Sequence, residues 1–285
     1  MALLNLRNVY HRQICQKIIR LKREGEKSYP NFADKGSSSS RSIALGIVER
    51  LNCPSSYEYM AGQTAGRLFE AITKDFLEKA FDLLAHLRPG KWYYSMQSPI
   101  SDFDQYRHLG ILEDIVEQTD ELASSLGTDY IIRPDIVVAR KPVSDHEINR
   151  SGEVVTVQDA LAELSPLREI NYDSTYPILH ASISCKWTIR SDRVQNSRAE
   201  ALNLVRNRKG NLPHVVAVTA EPMPTRLAAL ALGTGDLDCV YHFALPELRE
   251  SILATDNEDQ MDMLKTLVEG RRLRDISDLP FDLAI

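Results

Sequence analysis

Apolar and polar side chains alternate most clearly between Leu179 and Thr188. Leu179, Ala181, Ile183, Cys185 and Trp187 take one set of positions, and Ser182, Ser184, Lys186 and Thr188 the other. A repeat of two marks a strand with one face on a core, so Lys186 leaves this strand beside Ser184. The spacing then changes. Ser191 suits a helix N-cap, and Val194, Ala201, Leu202 and Val205 recur at helical intervals as far as Asn207, ahead of Gly210. Glu200 falls two turns inside that helix. A further apolar run, Val215 to Thr219, completes a strand–helix–strand unit with a right-handed crossover.

Elsewhere the same patterns predict the remaining elements. Leu3, Leu6, Tyr10, Ile14, Ile18 and Leu21 give an amphipathic N-terminal helix. Asn31 to Ser42 reads as a Ser-rich linker holding Asp34 and Arg41, followed by a short helix from Ser42 to Leu51. After Gly62-Gln63, a long helix buries Phe69, Ile72, Phe76, Ala80, Leu83 and Leu87 and stops at Pro89-Gly90. Taken alone, Glu70 on that helix reads as half of an exposed pair with Lys74. Residues 92–126 mix strand and helix signals. Tyr130 to Ala139 is an apolar run broken by Arg133-Pro134-Asp135, which suggests a buried strand bent at the proline. Lys141 to Tyr176 is polar and irregular, with a helix expected near Val157 to Leu164. A turn from Glu221 to Arg226, a short helix from Leu227, a strand from Asp238 to Leu245 and two C-terminal helices complete the chain. The reading is of one domain over residues 1–285.

Composition narrows the class. A 285-residue chain that is 43% hydrophobic can bury one sizeable core. It carries no apolar run of the roughly 20 residues that a membrane span needs, and no signal-peptide pattern near Met1. A cytoplasmic protein is expected. Cys15, Cys53, Cys185 and Cys239 lack metal-site or disulfide-framework spacing and read most simply as free thiols.

Charge changes the picture in one place. The net charge is -6, yet Lys186, Arg190, Arg193, Arg198, Arg206, Arg208 and Lys209 face only Asp192 and Glu200 across the segment 186–209. That is a local anion-binding patch on an acidic molecule. An acid inside an apolar run costs several kcal/mol unless it is paired or holds a cation, so Asp135 calls for a partner such as Lys186 or a metal ion. Asp135, Lys186 and Glu200 together supply what phosphodiester hydrolysis requires: carboxylates for a divalent cation and an ammonium group beside the phosphate. Oxygen donors without His or Cys clusters favour magnesium over zinc. Two arginines flanking an aspartate, Arg190-Ser-Asp192-Arg193, suit guanine O6 and N7 and cytosine N4 in the major groove.

These residues resemble the PD-(D/E)XK nucleases in a permuted form. Ser184 stands where the usual motif has an acid two residues before the lysine, and helix-borne Glu200 looks like the substitute. That arrangement is similar to the NgoMIV-like type II restriction endonucleases, whose targets contain CCGG. The segments GQTAGRLFEAI, LHASISCKWTIRSDR, NLVRNRKGNLPHVVAVTAEP, ALGTGDLDCVYHFAL and ISDLP carry the likeness over nearly the whole chain.

The resemblance implies an α/β fold, with a central mixed β-sheet flanked by helices and helical additions to the nuclease core. It also implies that Asp135, Glu70 and the main-chain carbonyl of Cys185 hold Mg2+, with Lys186, Glu200 and Ser184 completing the catalytic set. Arg190, Asp192 and Arg193 would read CCGG, while Gln63, Asp34 and Arg226 would read the outer pair of GCCGGC, cut after the first G. The loop around Asp34 departs from the family in length and sequence. Further expectations are double-stranded DNA as substrate, 5′-phosphate ends with four-base overhangs, a homotetramer made of two dimers, and a cognate DNA methyltransferase. A structure-specific repair or recombination nuclease of the same fold, or a DNA-binding protein without catalysis, are the alternatives, and the Arg190–Arg193 segment and the intact acids weigh against them.

Overall fold

The structure, a computed structural model, describes residues 2–25, 27–126, 131–158, 161–169, 176–189, 191–233 and 235–285. Helix α1 (Ala2–Lys17) buries Tyr10, Ile14 and Cys15, as its periodicity predicts. It ends before Leu21, which instead opens a hairpin of β1 (Leu21–Glu24) and β2 (Lys27–Pro30). Helix α2 (Ser38–Arg50) starts inside the segment read as a linker. Its first turn is built from that Ser run: Ser37 is the N-cap and accepts from the Ser40 amide. Helix α3 (Gly62–Asp82) follows, buries Phe69, Ile72, Phe76 and Ala80, and stops one turn short of Leu87.

The segment that sequence patterns leave unplaced holds β3 (Trp92–Met96), α4 (Arg107–Glu117) and α5 (Asp120–Leu126). Strand β4 (Ile136–Arg140) begins only after Pro134, whose missing N–H cannot join a ladder. In the polar insertion a short α6 (Asp145–Ile148) forms, and among the described residues the expected helix is not seen. The described residues of 157–164 lie in bends and turns, with Val157, Leu161 and Leu164 exposed at 71%, 60% and 89%. Three apolar residues without a surface to cover cannot stabilise a helix that short.

From here the chain follows its pattern through β5 (Ile178–Lys186), α7 (Ser191–Asn207), β6 (His214–Thr219), α8 (Pro224–Ala231), β7 (Cys239–His242), α9 (Leu245–Ala254) and α10 (Glu258–Glu269), and then adds β8 (Leu273–Asp275) and α11 (Leu279–Asp282), which the sequence reading did not include. One six-stranded sheet runs β3-β4-β5-β6-β7-β8. β3, β4 and β5 pair antiparallel, whereas β5 through β8 pair parallel, so the sheet is mixed as expected. The β5–α7–β6 unit read from the alternation is present.

Two arrangements fix the parts of the chain that frame the site. Phe32, Phe69, Phe243 and Trp187 stack edge-on around the carboxyl end of β5, with Trp187 5.4 Å from Phe32 and 5.2 Å from Phe69 between ring centroids. Such aromatic pairs each add about 0.5–1.5 kcal/mol beyond area burial. Arg7 of α1 forks onto Glu247 and Asp275, joining the first helix to α9 and β8. Cys15 and Cys53, expected as free thiols, are joined by a disulfide with their Cα atoms 4.9 Å apart. Their separation of 38 residues hid the pairing, because only the packing of α1 beside the end of α2 brings them together. Cys185 and Cys239 are free and buried.

Candidate active site

Asp135 lies at the amino end of β4, and Lys186 is the last residue of its neighbour β5. Because β4 and β5 are antiparallel, with Ile136 opposite Ile183, the start of one strand sits beside the end of the other. Lys186 Nζ donates to Asp135 Oδ2 at 3.0 Å, and the Cys185 main-chain N–H donates to the same oxygen at 2.7 Å. Both side chains are mostly buried, at 19% and 17% exposure. Burial works against the lysine charge, but Asp135 overcomes it by Coulombic attraction and by the hydrogen bond, so the ammonium form is favoured.

Two further acids surround this pair. Glu70 extends from α3, one residue along from Phe69 in the aromatic cluster beneath Trp187. Burial, then the neighbouring Asp135 carboxylate, push its pKa up to about 7, against the pull of Lys186. The exposed Glu70–Lys74 pair is not formed; Lys74 bonds Glu78 at 3.0 Å instead. Glu200 comes from α7 and is held above the usual carboxylate range by burial, opposed by Lys186 and reinforced by Asp135. Ser184 meets Ser197 at 3.4 Å between hydroxyl oxygens, one helical turn before Glu200, so β5 and α7 are pinned where Glu200 faces the lysine. The structure thus brings Asp135, Lys186, Glu70, Glu200 and Ser184 into one neighbourhood.

Gln97 belongs to the same neighbourhood and escaped the sequence reading. Its amide Nε2 donates to Asp135 Oδ1 at 3.3 Å, and its side chain also favours the ionised form of Glu70, against the upward push of burial. No motif marks a lone glutamine after a strand, so only the fold reveals it.

Among the described residues no three His, Cys, Asp or Glu side chains stand close enough to hold a metal ion by themselves. The donors present are nonetheless those that a hard divalent cation takes: the carboxylates of Asp135 and Glu70, with water or main-chain oxygen to complete the shell. Burial first, and the Asp135 carboxylate second, raise Glu70, and a cation between the two acids would relieve the second of these.

Of the candidate base readers, Arg190 lies outside the described residues. Asp192 and Arg193 are described only as backbone in the first turns of α7. Gln63 is exposed in the first turn of α3, seven residues before Glu70 and hence on nearly the same helix face. Asp34 and Arg226 are ion-paired to each other, joining the loop before α2 to α8. Behind Arg226, buried Glu221 accepts from the amides of Ile189 at 3.2 Å and Met223 at 3.3 Å. Its carboxylate also lies 4.0 Å from Arg226 Nη1. Burial raises its pKa to about 7.

Comparison with known proteins shows the family. The family model described as NgoMIV restriction enzyme matches residues 10–285. The chain belongs to the NgoMIV restriction enzyme family. The type II restriction enzyme NgoMIV of Neisseria gonorrhoeae is 46% identical over 285 residues, covering 98% of this chain and 97% of the relative. This family member is therefore a type II restriction endonuclease, a DNA-binding hydrolase built on a mixed sheet flanked by helices. Solved structures resemble it more loosely. A PspGI–substrate DNA complex is 16% identical with a TM-score of 0.37, covering 78% of this chain and 61% of that one. The Bse634I restriction endonuclease is 12% identical with a TM-score of 0.35, covering 86% and 98%. No helix among the described residues is long and apolar enough to cross a membrane.

Proposed function

We propose that this enzyme cuts double-stranded DNA at GCCGGC, after the first G, and leaves 5′-phosphate ends with four-base 5′ overhangs. The observation that carries this reading is the Asp135–Lys186 pair at 3.0 Å, with Glu70 and Glu200 electrostatically coupled to it, in a chain of this family.

Asp135 and Glu70, with the Cys185 carbonyl, would hold the cation, in this reading Mg2+. When bound, magnesium lends its positive charge to the scissile phosphate and makes a nearby water a better nucleophile. Lys186 orients that water and offsets the charge gathering on the non-bridging phosphate oxygens. Asp135 keeps the ammonium group aimed through their hydrogen bond. Glu200 is the acid contributed by α7 and acts electrostatically on Lys186, and Ser184 fixes its helix through Ser197.

Arg190, Asp192 and Arg193 read the CCGG core, the arginines on guanine and the aspartate on cytosine N4. Gln63, Asp34 and Arg226 read the outer base pair. A palindrome calls for a two-fold symmetric reader, and two such dimers back to back give a homotetramer. Residues 1–285 act as one domain. The enzyme works in the cytoplasm beside a cognate DNA methyltransferase that protects the host's own sites.

Digesting a DNA of known sequence in Mg2+ and mapping every end tests the reading at once. Ends at GCCGGC with four-base 5′ overhangs are expected. Cleavage of a substrate free of CCGG, or cleavage set by DNA structure alone, would overturn it.

A further inference from the structure

Gln97 has a backbone that glutamine rarely adopts. Its φ is +57°, in the left-handed region, where most residues other than glycine are strained. Such conformations persist where surrounding contacts over-determine them, and they gather at working sites. Here the restraint is visible. β3 pairs with β4 up to Met96 opposite Ile136, so the following residue, Gln97, comes level with Asp135. The Gln97 main-chain N–H then donates to the Pro134 carbonyl at 3.2 Å, which fixes the turn beside the residue that precedes Asp135. The kink that ends β3 therefore also delivers the side chain to the acids.

What the amide does there follows from its chemistry. Asp135 Oδ2 already accepts two bonds, from the Cys185 amide and from Lys186. Oδ1 accepts one, from Gln97, and keeps a lone pair open. Gln97 also favours the ionised form of Glu70, so one neutral side chain, hydrogen-bonded to Asp135, serves both acids. Of the side chains, an amide alone carries both a double donor and an uncharged oxygen acceptor within the same planar group. With a cation between the acids, half a turn about its last bond would aim Oε1, rather than Nε2, at the positive charge.

We propose that Gln97 is a positioning residue for the divalent cation of this enzyme. Its amide holds Asp135 and Glu70 at the spacing the ion needs, and turns its oxygen toward the ion, or toward a water on it, once the ion is in place. The inference rests on the reading above that these acids bind a divalent cation.

The test measures Mn2+ binding by electron paramagnetic resonance on the full-length protein, alone and with an uncleavable phosphorothioate duplex containing GCCGGC. Gln97→Ala should weaken Mn2+ binding about 10- to 100-fold, the usual effect of removing a partner of metal ligands, with an unchanged circular dichroism spectrum. Gln97→Gly relieves the left-handed backbone but also lacks the amide, so it should lose the same affinity. Native affinity in Gln97→Ala, or native affinity in Gln97→Gly alone, would overturn the proposal, the second result by placing the effect in the backbone. Mn2+ binding that survives Asp135→Ala unchanged would overturn the cation reading itself, and this assignment with it.

Discussion

Lys186 Nζ and Asp135 Oδ2 lie 3.0 Å apart, and the main chain of Cys185 bonds that same oxygen, so one carboxylate sets both the lysine and the end of β5. Lys186→Ala removes the only charged side chain hydrogen-bonded to Asp135 among the described residues. Cleavage of plasmid carrying the site should fall by at least about 100-fold, as when a single electrostatic stabiliser is removed from other active sites. The circular dichroism spectrum should stay native. Asp135→Ala should behave likewise, and either variant cutting at the native rate would refute the assignment.

Asp34 and Arg226, paired with each other in this structure, must exchange that contact for DNA if they read the outer base pair. Arg226→Ala should shrink the preference for GCCGGC over a duplex altered only in its outer pair by roughly 5- to 150-fold, the equivalent of about 1–3 kcal/mol per base contact. Cleavage of the two duplexes in one competition reaction gives the ratio directly. An unaltered ratio would remove Arg226 from the reading of that pair.

Glu221 makes stability depend on pH. The folded chain keeps a proton on this buried acid up to about 7, while the unfolded chain releases it near 4.5. Its favourable contribution is complete below 4.5, declines as pH rises through that window, and is gone above about 7. The total is on the order of 3 kcal/mol. Urea denaturation at pH 5 and pH 8 should show Glu221→Gln losing less stability than the native chain across this interval. Equal losses would place the pH dependence elsewhere.

The Cys15–Cys53 bond fixes a count. Titrating the unfolded protein with a thiol reagent should give two reactive thiols before reduction and four after it. The bond closes a loop with a 38-residue separation, so reduction should cost about 4 kcal/mol in the loop-entropy account. Four thiols without reductant would show that the bond is not made in solution.

How legible each part was depended on where its stabilisation lies. β5 and α7 were readable because Leu179, Ala181 and Ile183 alternate in burial with His180 and with Ser184, and because Val194, Ala201, Leu202 and Val205 keep helical spacing. β3 was not. Trp92 to Met96 is partly exposed on both faces of an edge strand, which erases the period of two. A helix was expected near Val157 to Leu164, yet Val157, Leu161 and Leu164 are exposed. Among site residues, Asp135 stood out because an acid in an apolar run demands a partner. Glu70 needed the family resemblance, since i,i+4 spacing offered it an ordinary mate. Gln97 and Glu221 depend on contacts between distant segments and on a left-handed turn, none of which leaves a local trace.

Trp187 follows directly on Lys186, and its indole is 5% exposed among Phe32, Phe69 and Phe243. The chain has just one other tryptophan, Trp92, on edge strand β3, where it packs against His180 of β5. The molecule thus has an intrinsic fluorophore next to its ammonium group. Any shift of that lysine when duplex or ion arrives would register as a change in emission colour or intensity, with no label attached.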